Sequence, residues 1–170
     1  MLELLLARHG ETAWNAEGRV QGHTDLPLND NGIAQAEALA TQLAPEPLVA
    51  VHSSDLLRAR ATAAAVASRH GLEVVLDPDL REKHFGSWEG MTDIEIRERH
   101  PDAVRGTWGD RESSDAVARR AVAAIERIQS RYTDGTVLVV SHGGALRAIL
   151  DHLEVPHDRI DNCAIFRAYV

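Results

Sequence analysis

The chain has 170 residues, of which 44% are hydrophobic, and it carries 18 Lys and Arg against 26 Asp and Glu, a formal net charge of −8 at pH 7. This length fits a single domain with its own core. The acidic balance argues against nucleic acid or an anionic membrane as the main partner, and no apolar run approaches the roughly 20 residues of a membrane helix. The opening residues lack the basic start of a signal peptide, and Cys163 is the only cysteine, so we expect a cytoplasmic protein without disulfides.

The first part of the chain alternates apolar runs with turn and helix signals. The run 4–7 ends at Arg8 and His9, and Gly10 follows directly, which is typical of a buried strand that stops at a turn. The segment 14–27 is rich in Gly, Asn and Asp without a clear period, which predicts an ordered loop over the end of that strand. Asn29 is a candidate N-cap for a helix over 30–43. The apolar face of this helix is predicted to consist of Ile33, Ala36, Leu39, Ala40 and Leu43.

The rest of the chain continues this alternation. A strand over 48–52 leads into an Ala-rich helix that opens at Ser53-Ser54-Asp55 and closes at Gly71, which places Arg58 in its first turn. Further predicted elements are a strand over 73–76, a helix over 92–100, a helix from Ser113 or Ser114 to Tyr132, a strand ending at Val140, a helix over 145–153 and a strand over 163–169. The irregular, polar segment 102–112 suits a surface lid. The order predicts an α/β fold, a three-layer α/β/α sandwich around a mostly parallel sheet.

Two histidines follow two of the predicted strands. His9 comes at the end of the first strand, and His142 follows the apolar run 137–140, with Gly143 and Gly144 directly after it. If the two strands are parallel neighbours, both histidines face one crevice at the carboxyl edge of the sheet, where ligands bind in open α/β folds. The glycines allow a ligand to approach backbone N–H groups closely.

Five motifs in one order carry a resemblance that covers nearly the whole chain. They are Arg8-His9-Gly10-Glu11-Thr12 with Asn15, Gly18-Arg19-Val20-Gln21-Gly22 with Asp25-Leu26-Pro27-Leu28, Ser53-Ser54-Asp55-Leu56 with Arg58, Leu80-Arg81-Glu82 running into Phe85-Gly86-Ser87-Trp88-Glu89-Gly90, and Ser141-His142-Gly143-Gly144. In these motifs the chain resembles the histidine phosphatase superfamily, which includes the cofactor-dependent phosphoglycerate mutases and related small phosphatases. The resemblance implies a phosphoglycerate mutase-like fold, with residues 1–170 as one domain and a short lid at about 91–113.

The resemblance also implies a role for each motif residue. His9 is then the nucleophile that forms a phosphohistidine, and Glu82 is the acid that protonates the leaving oxygen, with Glu89 and Glu11 as nearby alternatives. The remaining catalytic residues form the predicted phosphate pocket, which consists of Arg8, Asn15, Arg58, His142 and Gly143. These residue types suit the chemistry, because a transferring phosphoryl group needs fixed positive charge. Nearby arginine charge also keeps the imidazole of His9 unprotonated, as attack requires.

The short lid favours one activity within the family. Mutases close their site with a long basic insertion, whereas about twenty residues separate Gly90 from Ser113 here. We therefore predict a phosphomonoester hydrolase that works through phosphohistidine on His9. The alternatives are a cofactor-dependent phosphoglycerate mutase and, from another class, a non-catalytic phosphate-binding module. No metal or other cofactor is expected, because histidine and arginine do the work of a metal ion.

The sequence says less about the substrate. We expect a small phosphorylated metabolite, with a phosphoprotein as an alternative, and the residues that could contact it are Arg19, Gln21, Thr24 and His84, with His23 at the pocket mouth. Residues 110–113 read Asp-Arg-Glu-Ser where many small phosphatases have Pro-Gly-Gly-Glu-Ser. This departure puts any α-ribazole phosphatase-like specificity in doubt. Candidates for binding a second anionic group are Arg81, Lys83, Arg105 and Arg111. The sequence does not indicate an oligomeric state.

Overall fold

A computed structural model describes residues 1–101 and 110–170 of the chain. Its strands are β1 (Leu2–Arg8), β2 (Leu48–Ser53), β3 (Val74–Leu76), β4 (Gly135–Ser141) and β5 (Ile165–Tyr169). Its α-helices are α1 (Ala13–Glu17), α2 (Asp30–Leu43), α3 (Leu57–His70), α4 (Asp93–Arg99), α5 (Ser114–Arg131) and α6 (Gly143–His152). Two 3₁₀ turns, Pro78–Leu80 and Gly86–Trp88, lie between β3 and α4.

The strands form one five-stranded sheet in the order β3-β2-β4-β1-β5. All neighbouring pairs are parallel except β1 and β5, which are antiparallel. The register of β1 on β4 pairs Arg8 with Ser141, so the next residues, His9 and His142, leave the sheet side by side. These pairings confirm the predicted mostly parallel sheet. They also confirm that β1 and β4 are parallel neighbours, which was the condition for the two histidines to meet.

The core lies on both faces of the sheet because apolar residues fill consecutive positions in the central strands, whose side chains point alternately to opposite faces. Leu4 and Leu6 pack with the apolar faces of α5 and α6 on one side. Leu5 and Ala7 pack with α2 and α3 on the other. The fold is therefore the predicted three-layer α/β/α sandwich.

Local capping sets where the helices begin. The Oδ1 of Asn29 accepts from Gly32 N at the start of α2, and the hydroxyl of Ser113 accepts from Ala116 N at the start of α5, as predicted. The helix that contains Arg58 begins at Leu57 and not at Ser53, because Ser53 is still part of β2.

Two other predictions about the first part of the chain need correction. The segment 14–27 was predicted as a loop, and residues 18–27 indeed lie in no helix or named strand, but residues 14–17 belong to the short helix α1, which Thr12 and Asn15 start with a capping box. Ile33 was predicted to face the core, yet it is 53% exposed, and Gly32 is buried instead. A Cβ on Gly32 would lie 2.0 Å from the carbonyl oxygen of Glu11, so α2 packs too closely there for any side chain.

The lid stays a prediction. Part of its predicted span of 91–113 is described: α4 and residues 110–113 have defined positions, and Thr92 caps α4 with Glu95 in a capping box. Residues 102–109 of that span, including Arg105, lie outside the described residues. Over the two described ranges, 1–101 and 110–170, there is no helix with the length and apolar character needed to span a bilayer.

Candidate active site

The site lies where β1, β2 and β4 end. The rings of His9 and His142 lie 5.0 Å apart between centroids, and both side chains are buried. Arg58, one residue into α3, is 1% exposed and is the largest of the fully buried side chains. A pocket of about 180 Å³ opens above these groups. Its walls consist of Arg8, His9, Asn15, Arg19, Val20, Gln21, Gly22, Arg58, Glu82 and Phe85.

The ring of His9 is held in one orientation. Its Nδ1 lies 2.7 Å from the carbonyl oxygen of Gly10. Because a carbonyl can only accept, Nδ1 carries the hydrogen in this contact, and the lone pair of the neutral ring is on Nε2. Burial lowers the pKa of His9 well below its usual value, and the charges of Arg58 and Arg8 lower it further. His9 is therefore neutral at neutral pH, with Nε2 available as a nucleophile.

Two arginines bring positive charge to the pocket. Arg58 donates from Nη2 to Gly22 O at 2.7 Å and from Nη1 to Thr24 O at 3.0 Å. Arg8 donates from Nη1 to Ile160 O at 2.8 Å. Burial lowers the pKa of Arg58 to about 10 and also lowers that of Arg8, yet both stay charged at neutral pH. Among the described residues, the Nε atoms of both arginines are buried and have no hydrogen-bond partner, which suits the binding of an anion.

The amide of Asn15 is oriented by two N–H donors. Its Oδ1 accepts from Thr12 N at 3.1 Å and from Asn162 Nδ2 at 3.3 Å, while the single hydroxyl hydrogen of Thr12 goes to Gln21 Oε1 at 2.7 Å. The amide NH₂ of Asn15 is thus left to face the pocket as a donor. Asn162 also donates to His9 O at 3.0 Å, so it connects two residues of the pocket. Asn162 was not among the predicted site residues, because nothing in the sequence marks it among the turn residues before β5.

His142 lies behind the wall of the pocket. It is the N-cap residue of α6, its Nε2 lies 2.8 Å from the hydroxyl of Ser54, and its buried Nδ1 has no hydrogen-bond partner in the part of the chain that the structure describes. Burial lowers the pKa of His142 well below its usual value, with Arg58 adding to the effect. Gly143 opens α6 beside it, and a Cβ there would lie 3.8 Å from the Nε of Arg8. The two residues therefore back the pocket at the N-terminus of a ten-residue helix.

Of the three carboxylates considered as the acid, only Glu82 lines the pocket. Its two oxygens accept from Gly144 N at 3.0 Å and from Lys83 N at 2.8 Å. Glu89 is instead bound by the backbone N–H groups of His23, Thr24 and Phe85 and by the hydroxyl of Thr24. Burial raises the pKa of Glu89, but these hydrogen bonds outweigh it, and the net shift is downward.

Glu11, the other alternative, turns away from the pocket. Its carboxylate accepts from the Nδ2 of Asn29 at 2.9 Å, and this hydrogen bond is the main cause of its lowered pKa. Glu11 and Glu89 therefore hold loops together, while the carboxylate of Glu82 faces the space above His9.

The predicted substrate contacts separate into two groups. Arg19 and Gln21 line the pocket, although Arg19 also pairs with Glu17 and Glu95. Thr24 and His84 are not among the residues that line it. Thr24 binds the carboxylate of Glu89 at 2.5 Å, and the ring of His84 packs against that of His23 at 5.0 Å.

A larger cleft of about 840 Å³ adjoins the pocket and shares Val20, Glu82 and Phe85 with it. The other described residues of its walls are Lys83, Trp88, Asp93, Ile96, Arg111, Ser114, Asp115, Val117, Ala118, Gly144, Arg147, Ala148 and Asp151. Of the predicted anion-binding candidates, Lys83 and Arg111 line this cleft, whereas Arg81 makes a bidentate pair with Asp55. Arg147, which sequence analysis missed, makes no hydrogen bond or ion pair with any described residue.

Nothing in residues 1–101 and 110–170 groups three or more His, Cys, Asp or Glu side chains as a metal ion would require. The groups that meet at the sheet edge are instead a neutral imidazole, two guanidinium groups, an amide and a carboxylate. This set suits the binding and transfer of a phosphoryl group.

Comparison with known proteins identifies the class. The family model of the histidine phosphatase superfamily (branch 1) matches residues 4–169, and the chain belongs to this family. A metal-independent phosphoserine phosphatase of Arabidopsis thaliana is 43% identical over 86% of this chain and 66% of its own length. Phosphoglycerate mutase-like protein 4 of the same plant is 39% identical over 88% of this chain and 70% of its own length.

A solved structure extends the likeness to three dimensions. Mycobacterial glucosyl-3-phosphoglycerate phosphatase, complexed with VO3, aligns with a TM-score of 0.85 at 32% identity and covers 97% of this chain and 90% of that chain. The predicted fold and family are thereby confirmed. With relatives named as phosphatases in both comparisons, the chain is a histidine-phosphatase-type phosphomonoester hydrolase.

Proposed function

We propose that this hydrolase cleaves small phosphorylated metabolites by transferring the phosphoryl group to Nε2 of His9 and then to water. The observation that carries the proposal is the neutral ring of His9, which is fixed through Nδ1 and lies close to the charges of the buried Arg58 and the half-buried Arg8. A nucleophile that is both unprotonated and held in place needs little further activation.

In the first step the phosphate group lies in the small pocket. The guanidinium groups of Arg8 and Arg58 and the amide of Asn15 bind its non-bridging oxygens, where charge develops. A bond forms between Nε2 of His9 and phosphorus while the bond from phosphorus to the leaving oxygen breaks. Glu82 gives its proton to that oxygen, so the product alcohol leaves neutral.

The second step regenerates the enzyme. The carboxylate of Glu82 takes a proton from a water molecule, which attacks phosphorus as the bond to Nε2 breaks. Inorganic phosphate is released, His9 returns to its neutral form, and Glu82 is protonated for the next cycle. The hydrogen on Nδ1 of His9 stays with the carbonyl of Gly10 throughout, so the two steps balance.

The proposed substrate class is supported by the relatives and by the cleft. The named phosphatases act on phosphoserine and glucosyl-3-phosphoglycerate, both small phosphorylated metabolites. The cleft beside the pocket offers room for a leaving group, with both charged and apolar walls. We further propose that the chain works in the cytoplasm as a single domain covered by the lid at 91–113, and that it needs no metal or other cofactor.

The test is release of phosphate in the presence of a chelator from p-nitrophenyl phosphate, phosphoserine, 3-phosphoglycerate, sugar phosphates, α-ribazole phosphate and a phosphohistidine peptide. His9→Ala should lower turnover by about a thousandfold or more. His152→Ala, at an exposed site in the last turn of α6, is the matched control and should retain full activity. Rapid quenching at alkaline pH should trap an acid-labile phosphoenzyme in the wild type and none in His9→Ala.

Other outcomes lead to the alternatives. Turnover that survives His9→Ala, or that disappears with the chelator, contradicts the proposal. Conversion of 3-phosphoglycerate to its 2-isomer after addition of a bisphosphate primer, without phosphate release, would indicate the mutase activity that the mutase-like relative suggests. Phosphate binding without turnover in the wild type would indicate a binding module.

A further inference from the structure

An arginine in α5, with a side chain that is only 17% exposed, uses every hydrogen of its guanidinium group. Arg120 donates from Nε to Glu112 at 2.7 Å and from Nη1 to the carbonyls of Asp79 and Arg81 at 2.8 and 2.6 Å. Its Nη2 donates to Glu82 O at 2.8 Å and to the second carboxylate oxygen of Glu112 at 2.8 Å. A guanidinium group has five N–H donors. All five are therefore engaged.

The position of Arg120 is unusual for a charged residue. It lies on the helix face that also carries Val117, Ala121 and Ala124, all of which are buried, and its side chain is 17% exposed. Burying a guanidinium group costs free energy unless its donors are satisfied and its charge is paired. The five hydrogen bonds and the carboxylate of Glu112 meet that condition. A charged residue within the apolar face was also the one signal of its role in the sequence.

Three of these hydrogen bonds hold the backbone that carries the proposed acid. The accepting carbonyls belong to Asp79, Arg81 and Glu82, in a segment that leaves its 3₁₀ turn at Leu80 and enters no strand or helix before Gly86. The ring of His23 contacts the same carbonyl of Glu82 at 2.7 Å. With its backbone held in this way, Glu82 places its carboxylate against Gly144 N at 3.0 Å and into the pocket.

The other two hydrogen bonds reach the segment where the predicted lid ends. Glu112 accepts both of them, and it also accepts from His84 N at 3.1 Å. In return, the N–H of Glu112 donates to His84 O at 2.9 Å. Burial raises the pKa of Glu112, but the hydrogen bonds and charge of Arg120 lower it overall, so it is ionised in this pair.

We propose that Arg120 is a positioning residue for Glu82, and that through Glu112 it makes the placement of the acid depend on the end of the predicted lid segment. The inference rests on the proposed function of Glu82 as the acid. Lysine cannot replace Arg120 in this role, because its three donors do not form the planar fork that five partners require.

The experiment compares kcat/KM for two phosphomonoesters that differ in leaving group. An alkyl phosphate needs a proton from the acid, whereas p-nitrophenyl phosphate has a leaving group that departs without one. Arg120→Met should lower kcat/KM for the alkyl phosphate by about 10²-fold, within the range of general acid catalysis, and by less than about threefold for p-nitrophenyl phosphate. Glu82→Gln should show the same pattern. Arg120→Lys should recover little of the loss.

The matched control lies two turns further along the same helix. Arg127 pairs with the side chains of Asp77 and Asp79 next to the same segment but is about half exposed. Arg127→Met should leave both rates within about twofold of the wild type, since exposed ion pairs contribute little. If Arg120→Met does not fold, Glu112→Gln is the second variant, and it should give a smaller loss that is again confined to the alkyl phosphate.

A double variant separates positioning from a merely structural role. Adding Arg120→Met to Glu82→Gln should lower kcat/KM for the alkyl phosphate no further, because the acid is already gone. Equal losses on both substrates, or full additivity with Glu82→Gln, would overturn the inference. A failure of the proposed function is distinguishable, because His9→Ala would then leave turnover of both substrates intact.

Discussion

The phosphate pocket and the cleft beside it are built differently. The pocket is small, about 180 Å³, and backbone carbonyls hold three of its side chains, those of Arg8 at the end of β1, His9 directly after it and Arg58 at the start of α3. The cleft is larger, about 840 Å³, and helices and loops supply walls of both charge signs. A rigid sheet edge suits groups that must be accurately placed, and helices and loops suit recognition of a variable leaving group. We therefore expect the pocket to carry out the reaction and the cleft to select the substrate.

The largest effect is expected from a change in the pocket that acts on every substrate alike. Arg58→Met removes a buried charge that would bind the transferring group, and kcat/KM should fall by about 10²- to 10³-fold whatever the leaving group. Arg69→Met in the same helix, where the arginine is exposed and pairs with Glu37, should change little. Steady-state kinetics on an alkyl and an aryl phosphate measure both. A loss confined to one substrate would contradict the separation of roles.

A change where pocket and cleft meet should affect only the poor leaving groups. A Cβ on Gly144 would lie 2.4 Å from Oε1 of Glu82, so Gly144→Ala forces the proposed acid to move. We expect kcat/KM for alkyl phosphates to fall by about 10- to 100-fold and that for p-nitrophenyl phosphate to change little. In the Glu82→Gln background the substitution should have no further effect on alkyl phosphates. A further loss there would show that Gly144 has a separate role.

These cases show which parts of the molecule could be predicted. The meeting of His9 and His142 followed from strand patterns, because parallel strands end at one edge of a sheet. The buried face of α5 followed from helical spacing, and Val117, Ala121 and Ile125 are all in the core.

Other parts could not be read from local patterns. Asn162 and Arg120 act through partners that are far away along the chain. Asn162 lies 147 residues from Asn15, and Arg120 lies 38 residues from Glu82. Apolar periodicity likewise predicted Ile33 in the core. The pattern of apolar residues contains no information about the close backbone contact that buries Gly32 instead. Hydrogen bonds between distant segments leave no periodic signal in a single sequence.

The buried histidines should make the stability of the fold depend on pH. Burial lowers the pKa of His9 and of His142 below the usual value of about 6.5. As pH falls below that value, the unfolded chain takes up protons that the folded chain excludes, so the free energy of unfolding decreases. Each histidine contributes up to about 1.4 kcal/mol per pH unit, and neither changes stability above pH 6.5 or so.

Urea unfolding between pH 7.5 and 5.5 measures this dependence. His142→Asn should give a shallower loss of stability on acidification than the wild type, since one excluded proton is gone. His152→Asn, at the exposed end of α6, should keep the wild-type slope. A slope that does not change in His142→Asn would contradict the assignment.

The smallest effect is expected in the cleft. Arg147 is exposed on its wall and makes no ion pair with any described residue, so it is available to the leaving group. Arg147→Gln should raise KM by about three- to fivefold for phosphomonoesters whose leaving group carries a carboxylate. A change of this size corresponds to the free energy that an exposed ion pair contributes. Neutral leaving groups of similar size should bind unchanged. An equal change for both kinds of substrate would place Arg147 outside the recognition of the leaving group.

The strand order has a consequence for how the chain is made. β1 directly precedes His9 and is synthesised before the other four strands. Its two neighbours in the sheet, however, are β4 (Gly135–Ser141) and β5 (Ile165–Tyr169). A nascent chain that has not yet reached residue 135 therefore contains neither of the strands that pair with β1. Such long-range pairing slows folding and leaves apolar strands exposed in the meantime. The proposed nucleophile is thus synthesised before β4 and β5, the two strands that must pair with β1 to put it in place.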